Sequence, residues 1–158
     1  MEKIIVGISD MKTCQAPGEL VTYALGSCVG ICMIDTVTKI AGMAHIMLPD
    51  SKAIQSDQNK MKFADTGIDL LYNELIKGGA VPSRLTAKIA GGANMFGATS
   101  NTMSIGDRNV EATKKQLAKL GVPIIAEDTG LNYGRTIKFN SEDGSLLVMS
   151  SLKGNKTI

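Results

Sequence analysis

The 158-residue chain contains only three cysteines and a single histidine. Three is an odd number, and the sequence shows no secretory pattern at its start, which argues against a disulfide framework and for free thiols. Long apolar runs are also missing. The opening MEKIIVGISDMKTCQAPGEL is interrupted by Asp10 and Lys12, and no later stretch reaches spanning length, so neither a signal peptide nor direct membrane insertion is expected and the expected location is cytoplasmic. An excess of one charge is lacking too. Seventeen Lys and Arg stand against fifteen Asp and Glu, a net +2 without a long basic run, so there is no electrostatic footprint for nucleic acid. Internal repeats and low-complexity segments are absent. The one histidine leaves one candidate for an imidazole base or ligand, His45.

Hydrophobic residues make up 44% of the chain and charged residues 20%, the balance of a globular protein with a core, and the length suits one domain over residues 1–158. KIIVGIS and GELVTYA read as strands, the second preceded by the turn pair Pro17-Gly18. Met61, Ala64, Ile68, Leu71 and Leu75 recur at helical spacing until Gly78-Gly79. RLTAKIAGGA reads as a strand ending in a glycine turn. GDRNVEATKKQLAKLG reads as a second amphipathic helix with Val110, Thr113, Leu117 and Leu120 on one face, acidic residues early, lysines late and Gly121 as its stop. VPIIAEDTG is a strand, and RTIKFNSEDGSLLVMSSL a hairpin around Asp143-Gly144. The fold class is α/β (α+β), with mixed, largely antiparallel sheets and two main helices.

The chemistry concentrates between Ala24 and Leu48, in ALGSCVGICMIDTVTKIAGMAHIML. Apolar residues on either side of the polar break DTVT suggest two antiparallel strands. A loop centred between Thr36 and Val37 places Cys28 opposite His45, Gly30 opposite Met43 and Cys32 opposite Ala41, all on one face. Opposed Cβ atoms lie roughly 4.5–5.5 Å apart, within reach of a thiol–imidazole contact. An imidazole that accepts the thiol proton produces the attacking thiolate. Gly26 and Ser27 allow a tight turn that presents the Cys28 backbone N–H where an oxyanion develops.

Two other readings of these residues stay open. Cys14, Cys28, Cys32 and His45 are the right types for a zinc site. Against it, Cys28 and Cys32 on one strand are separated by about 13 Å at ~3.3 Å per residue. Alternatively the cysteines are small buried hydrophobes and His45 a satisfied core residue. GGANMFG lacks both the dinucleotide fingerprint and a phosphate-loop Lys-Ser/Thr, and reads as a tight turn in which only Met95-Phe96 suggests a substrate-facing edge. The loop Asp50 to Asn59 is a candidate lid following the strand of His45.

TYALGSCVGICMID, GMAHIMLPDS, KIAGGANMF, IGDRNVEA and AEDTG resemble, in order, the signature blocks of the chemoreceptor glutamine deamidases, the CheD family of bacterial chemotaxis. The resemblance spans nearly the whole chain. It implies a layered α/β/β/α arrangement and a Cys-His-Thr triad that hydrolyses receptor glutamine amides to glutamate. By position in the motifs the triad falls on Cys28, His45 and Thr22, with Thr22 orienting His45 by accepting a hydrogen bond from its second ring nitrogen. It further implies no metal or organic cofactor, chemoreceptor cytoplasmic domains as substrate, a CheC-type phosphatase as partner, and recruitment to receptor arrays. A non-catalytic adaptor that binds receptor or phosphatase is the alternative, and a cysteine protease or transglutaminase uses the same pair on another acceptor.

Overall fold

The computed structural model describes residues 1–54, 56, 59–95 and 103–158. Within them the chain builds two five-stranded sheets and two α-helices. One sheet has the order β1 (Glu2–Ile5), β3 (Gly18–Leu25), β8 (Arg135–Asn140), β9 (Leu146–Ser150), β10 (Gly154–Thr157). The other has the order β2 (Asp10–Gln15), β5 (Ile40–Ile46), β4 (Val29–Asp35), β6 (Leu85–Gly91), β7 (Ile124–Thr129). Only the β1–β3 and β6–β7 pairs are parallel.

The second sheet is the centre of the molecule, because both faces of β4 and β5 are covered and every residue of both strands is buried. Strand alternation divides their side chains. Val29, Ile31, Met33, Ala44 and Ile46 join a core with α1 (Ala64–Lys77) and α2 (Ile105–Leu120), whereas Cys32, Ile34, Ala41 and Met43 join Leu20, Leu25, Ile137, Phe139, Leu146 and Val148 of the first sheet. Both helices therefore lie on one outer face, and the layers run helix, sheet, sheet. This is the mixed, largely antiparallel layered α/β architecture expected from the sequence, except that among the described residues the helices form one outer layer and not the two of the α/β/β/α arrangement that the resemblance implies. No described helix is long and apolar enough to cross a membrane.

The helices end for local reasons. Ser104 caps α2 by accepting from the Asp107 N–H, and Gly121 ends it in the left-handed conformation, where a missing Cβ removes the steric penalty. α1 begins at Ala64, one turn after Met61, which lies instead in the short 3₁₀ segment Lys60–Lys62. The strand read over Lys3–Ser9 stops at Ile5, and Ser9, at φ 57°, turns the chain into β2 of the opposite sheet. Gly42 shows how closely α1 is seated on the sheet: a Cβ there would press into Leu71 and Leu75.

Candidate active site

Thr22 and His45 come from different sheets and meet in the space between them. Thr22 lies on β3 and His45 on β5, both buried. The Thr22 Oγ1 donates to the Val6 carbonyl at 2.7 Å and lies 2.7 Å from His45 Nδ1. A threonine hydroxyl has one proton, and the carbonyl of Val6 can only accept. That proton is therefore committed to Val6, so Nδ1–H must donate to Thr22. The ring is held as the Nδ1–H tautomer, which leaves the Nε2 lone pair available as a base. Nε2 is buried and has no hydrogen-bond partner among the described residues.

Cys28 stands at the end of the turn Gly26-Ser27-Cys28 that joins β3 to β4, and is half-buried. Three consecutive carbonyls of this turn are anchored. Ala93 N–H donates to Gly26 at 2.9 Å, the Asn109 side-chain amide to Ser27 at 2.9 Å, and Gly92 N–H to Cys28 at 2.8 Å. Gly91, at φ 113°, is required here because a Cβ would collide with the Cys28 carbonyl. Met95 lies against the turn, 3.6 Å from where a Gly26 Cβ would be. Phe96 falls outside the described residues, as do parts of the candidate lid at positions 55, 57 and 58.

The hairpin register differs from the sequence reading. His45 pairs with Gly30 and Met43 with Cys32, so Cys28 is diagonal to His45 rather than opposite it. The four-residue loop is centred between Val37 and Thr38, with Lys39 at φ 59° closing it onto the Asp35 carbonyl. A shift of two residues preserves the strand parity, so Cys28, Cys32, Met43 and His45 remain assigned to one face. Gly30, opposite His45, is a close-approach position, since a Cβ there would meet Ile137 and Leu25 of the first sheet.

Burial sets the charge state of the candidate pair. Loss of water pushes His45 down to about 4. Burial also pushes the Cys28 thiol up, opposed by a hydrogen bond from its own backbone N–H. Both directions favour a neutral thiol and a neutral imidazole at rest, not a preformed thiolate–imidazolium pair. The other cysteines are elsewhere. Burial pushes Cys32 far up between the sheets, while Cys14, on β2, packs near Gly18 and Ser141. Among the described residues no group of three or more His, Cys, Asp or Glu is placed to hold a metal ion.

Sequence reasoning missed Asn109. The apolar face Val110, Thr113, Leu117 and Leu120 does pack inward, its two end residues part-buried against the core, but Asn109 and Gln116 are buried beside it. Gln116 donates to Asp69 of α1 at 2.6 Å. No periodicity of apolar residues announces a polar side chain buried through its hydrogen bonds.

Comparison with known proteins shows the family. A family profile described as CheD chemotactic sensory transduction matches residues 47–150, a span that begins just after His45. The chain is 57% identical to the probable chemoreceptor glutamine deamidase CheD of Caldanaerobacter subterraneus subsp. tengcongensis, over 97% of this chain and 96% of that one. It is 49% identical to the chemoreceptor glutamine deamidase CheD of Halalkalibacterium halodurans, again over 97% and 96% of the two chains. A crystal structure of the hypothetical protein YfiH from Bacillus licheniformis is similar in fold, with TM-score 0.52 and 16% identity, covering 78% of this chain and 51% of that one. On the family profile and the near full-length relatives, the chain belongs to the CheD family.

Proposed function

We propose that this protein deamidates selected glutamine side chains in the cytoplasmic domains of methyl-accepting chemoreceptors, with Cys28 as nucleophile, His45 as general base and acid, and Thr22 orienting the imidazole. The observation that carries the reading is the Val6–Thr22–His45 relay, which commits the ring proton to Nδ1 and frees Nε2.

From the neutral resting pair, Nε2 takes the thiol proton as Sγ bonds to the glutamine carboxamide carbon. The carbonyl oxygen becomes an oxyanion, and the Cys28 N–H, released from its own sulfur once Sγ is bonded to carbon, is the donor for it. His45⁺ returns the proton to the leaving nitrogen, ammonia departs and a thioester remains. Water, deprotonated by the same Nε2, then attacks the thioester, releasing glutamate and the free thiol. Thr22 stabilises the transient imidazolium by accepting from Nδ1–H, more weakly than a carboxylate because its hydroxyl is neutral. These steps balance without a metal or an organic cofactor.

The family relationship also supports a CheC-type phosphatase as a binding partner, which co-elution of the two purified proteins tests. Deamidation is tested by peptide mass spectrometry of a receptor cytoplasmic fragment incubated with native protein or with Cys28→Ala. Glutamine converted to glutamate at discrete positions by the native protein alone is expected. If the fragment is bound but converted by neither, the protein acts as an adaptor.

A further inference from the structure

One fully buried polar side chain has no place in the triad and touches both of its supporting elements. Asn109, in the second turn of α2, donates from Nδ2 to the Ser27 carbonyl at 2.9 Å and to the Met47 carbonyl at 2.9 Å. Both partners are acceptors, so the amide must present its nitrogen to them. Its Oδ1 is thereby left buried without a partner among the described residues. An unpaired buried acceptor is unfavourable, so packing alone is a poor reason for an asparagine here.

The position of the two carbonyls gives a better one. The β4–β5 ladder ends at the pair Val29–Ile46, and in the same register Cys28 and Met47 come next. Asn109 bridges the chain where the ladder stops, tying the residue before Cys28 to the second residue after His45. A trans peptide holds its C=O and the following N–H antiparallel. Drawing the Ser27 carbonyl toward α2 therefore turns the Cys28 N–H away from α2, toward the face of the sheet to which His45 is assigned. Gly26 and Cys28 are anchored through their own carbonyls by Ala93 and Gly92, so only the central peptide of the turn depends on a side chain. Neither the Ser27 nor the Cys28 N–H has a backbone partner among the described residues.

We infer that Asn109 is a positioning residue: by holding the Ser27 carbonyl it orients the Cys28 backbone N–H as the oxyanion donor of the deamidation. This rests on Cys28 being the nucleophile. The role is specific to acyl chemistry, because alkylation of the same thiol passes through no oxyanion.

The test compares the two reactions in Asn109→Ala, with far-UV circular dichroism to establish folding. Expected is a fall in kcat for receptor-fragment deamidation of about 10²-fold with KM within about twofold, while the rate of Cys28 alkylation by iodoacetamide stays within about threefold of native. Unchanged kcat, or deamidation and alkylation falling together, overturns the inference. Should Asn109→Ala fail to fold, nuclear magnetic resonance of the native protein decides. A peptide with glutamate γ-semialdehyde in place of the target glutamine, which adds to the thiol as a hemithioacetal, is expected to shift both the Cys28 N–H and the Asn109 side-chain amide. Binding of that peptide without a shift of both overturns it. Failure of the underlying reading looks different: Cys28→Ala would then deamidate as well as native protein.

Discussion

Removing water from His45 has two consequences that can be measured apart. Its folded value of about 4 lies below the ordinary 6.5, so the unfolded chain binds more protons between those values and stability rises with pH across that window. As the pH falls from 6.5 toward 4, native protein should lose roughly 3 kcal/mol relative to His45→Gln, which lacks this titration. Urea unfolding of both proteins across that range measures the difference. The second consequence concerns the partner of the ring. Thr22→Val removes the acceptor that fixes the tautomer, and kcat should drop about tenfold to a hundredfold with little change in KM, whereas Thr22→Ser should recover most of the activity. Steady-state deamidation kinetics of the two variants check this. Cys28 and His45 stood out in the sequence as a lone histidine near a thiol, but Thr22 carried no such signal. Its role in the triad came only with the family resemblance, since strand threonines are common.

Elements were legible where apolar periodicity was strong, and their register was not. The hairpin of β4 and β5 follows from its apolar alternation and the polar break between the strands. The shift that places Gly30 opposite His45 depends on Lys39 at φ 59°, a conformation that glycine or asparagine would have advertised and lysine does not. β2 and β10 escaped notice because they are edge strands, with DMKTCQ largely polar and GNKT wholly exposed. The α2 helix was evident and its apolar face does pack inward, with Thr113 and Leu117 buried and Val110 and Leu120 against the core, but the repeat gave no sign of Asn109 and Gln116 buried beside it. How closely that helix is seated can be tested at Gly106. A Cβ there would press against the carbonyl oxygens of Gly92 and Ala93, the segment that anchors the Cys28 turn. Gly106→Ala should destabilise the protein by about 1–3 kcal/mol and lower deamidation at temperatures where the variant remains folded. Thermal unfolding and activity measured on the same preparation decide it.

At the scale of the whole molecule, the two sheets are joined by charge as well as by the apolar layer. Arg135 of β8, fully buried, meets Asp128 of β7 at 3.1 Å, and the Tyr133 hydroxyl and the Lys156 ammonium also reach that carboxylate, at 3.0 and 3.3 Å. The Arg135 guanidinium lies over the Tyr133 ring, 4.1 Å from its centroid. Removing Arg135 leaves Asp128 only the half-exposed Lys156 ammonium and the Tyr133 hydroxyl as partners, so Arg135→Ala should cost about 2–3 kcal/mol, less than for a charge left wholly unpaired, while Arg135→Met combined with Asp128→Leu should recover much of that loss. Urea unfolding of the single and double variants measures both. None of this pairing could be read from the sequence, because the two residues belong to different sheets and nothing in their spacing specifies that they meet. The sheet-on-sheet arrangement also explains why the proposed triad draws its members from separate strands. The base and its orienting hydroxyl face each other across the interior, and the thiol enters on the turn that carries the chain from one sheet to the other.

In the proposed mechanism deamidation passes through a thioester on Cys28. Hydroxylamine intercepts thioesters, so a receptor fragment treated with native protein in its presence should acquire glutamyl hydroxamate at the positions otherwise converted to glutamate, read by peptide mass spectrometry, with Cys28→Ala yielding neither product. Glutamate formed without hydroxamate at high hydroxylamine, or equal conversion by Cys28→Ala, would contradict this mechanism.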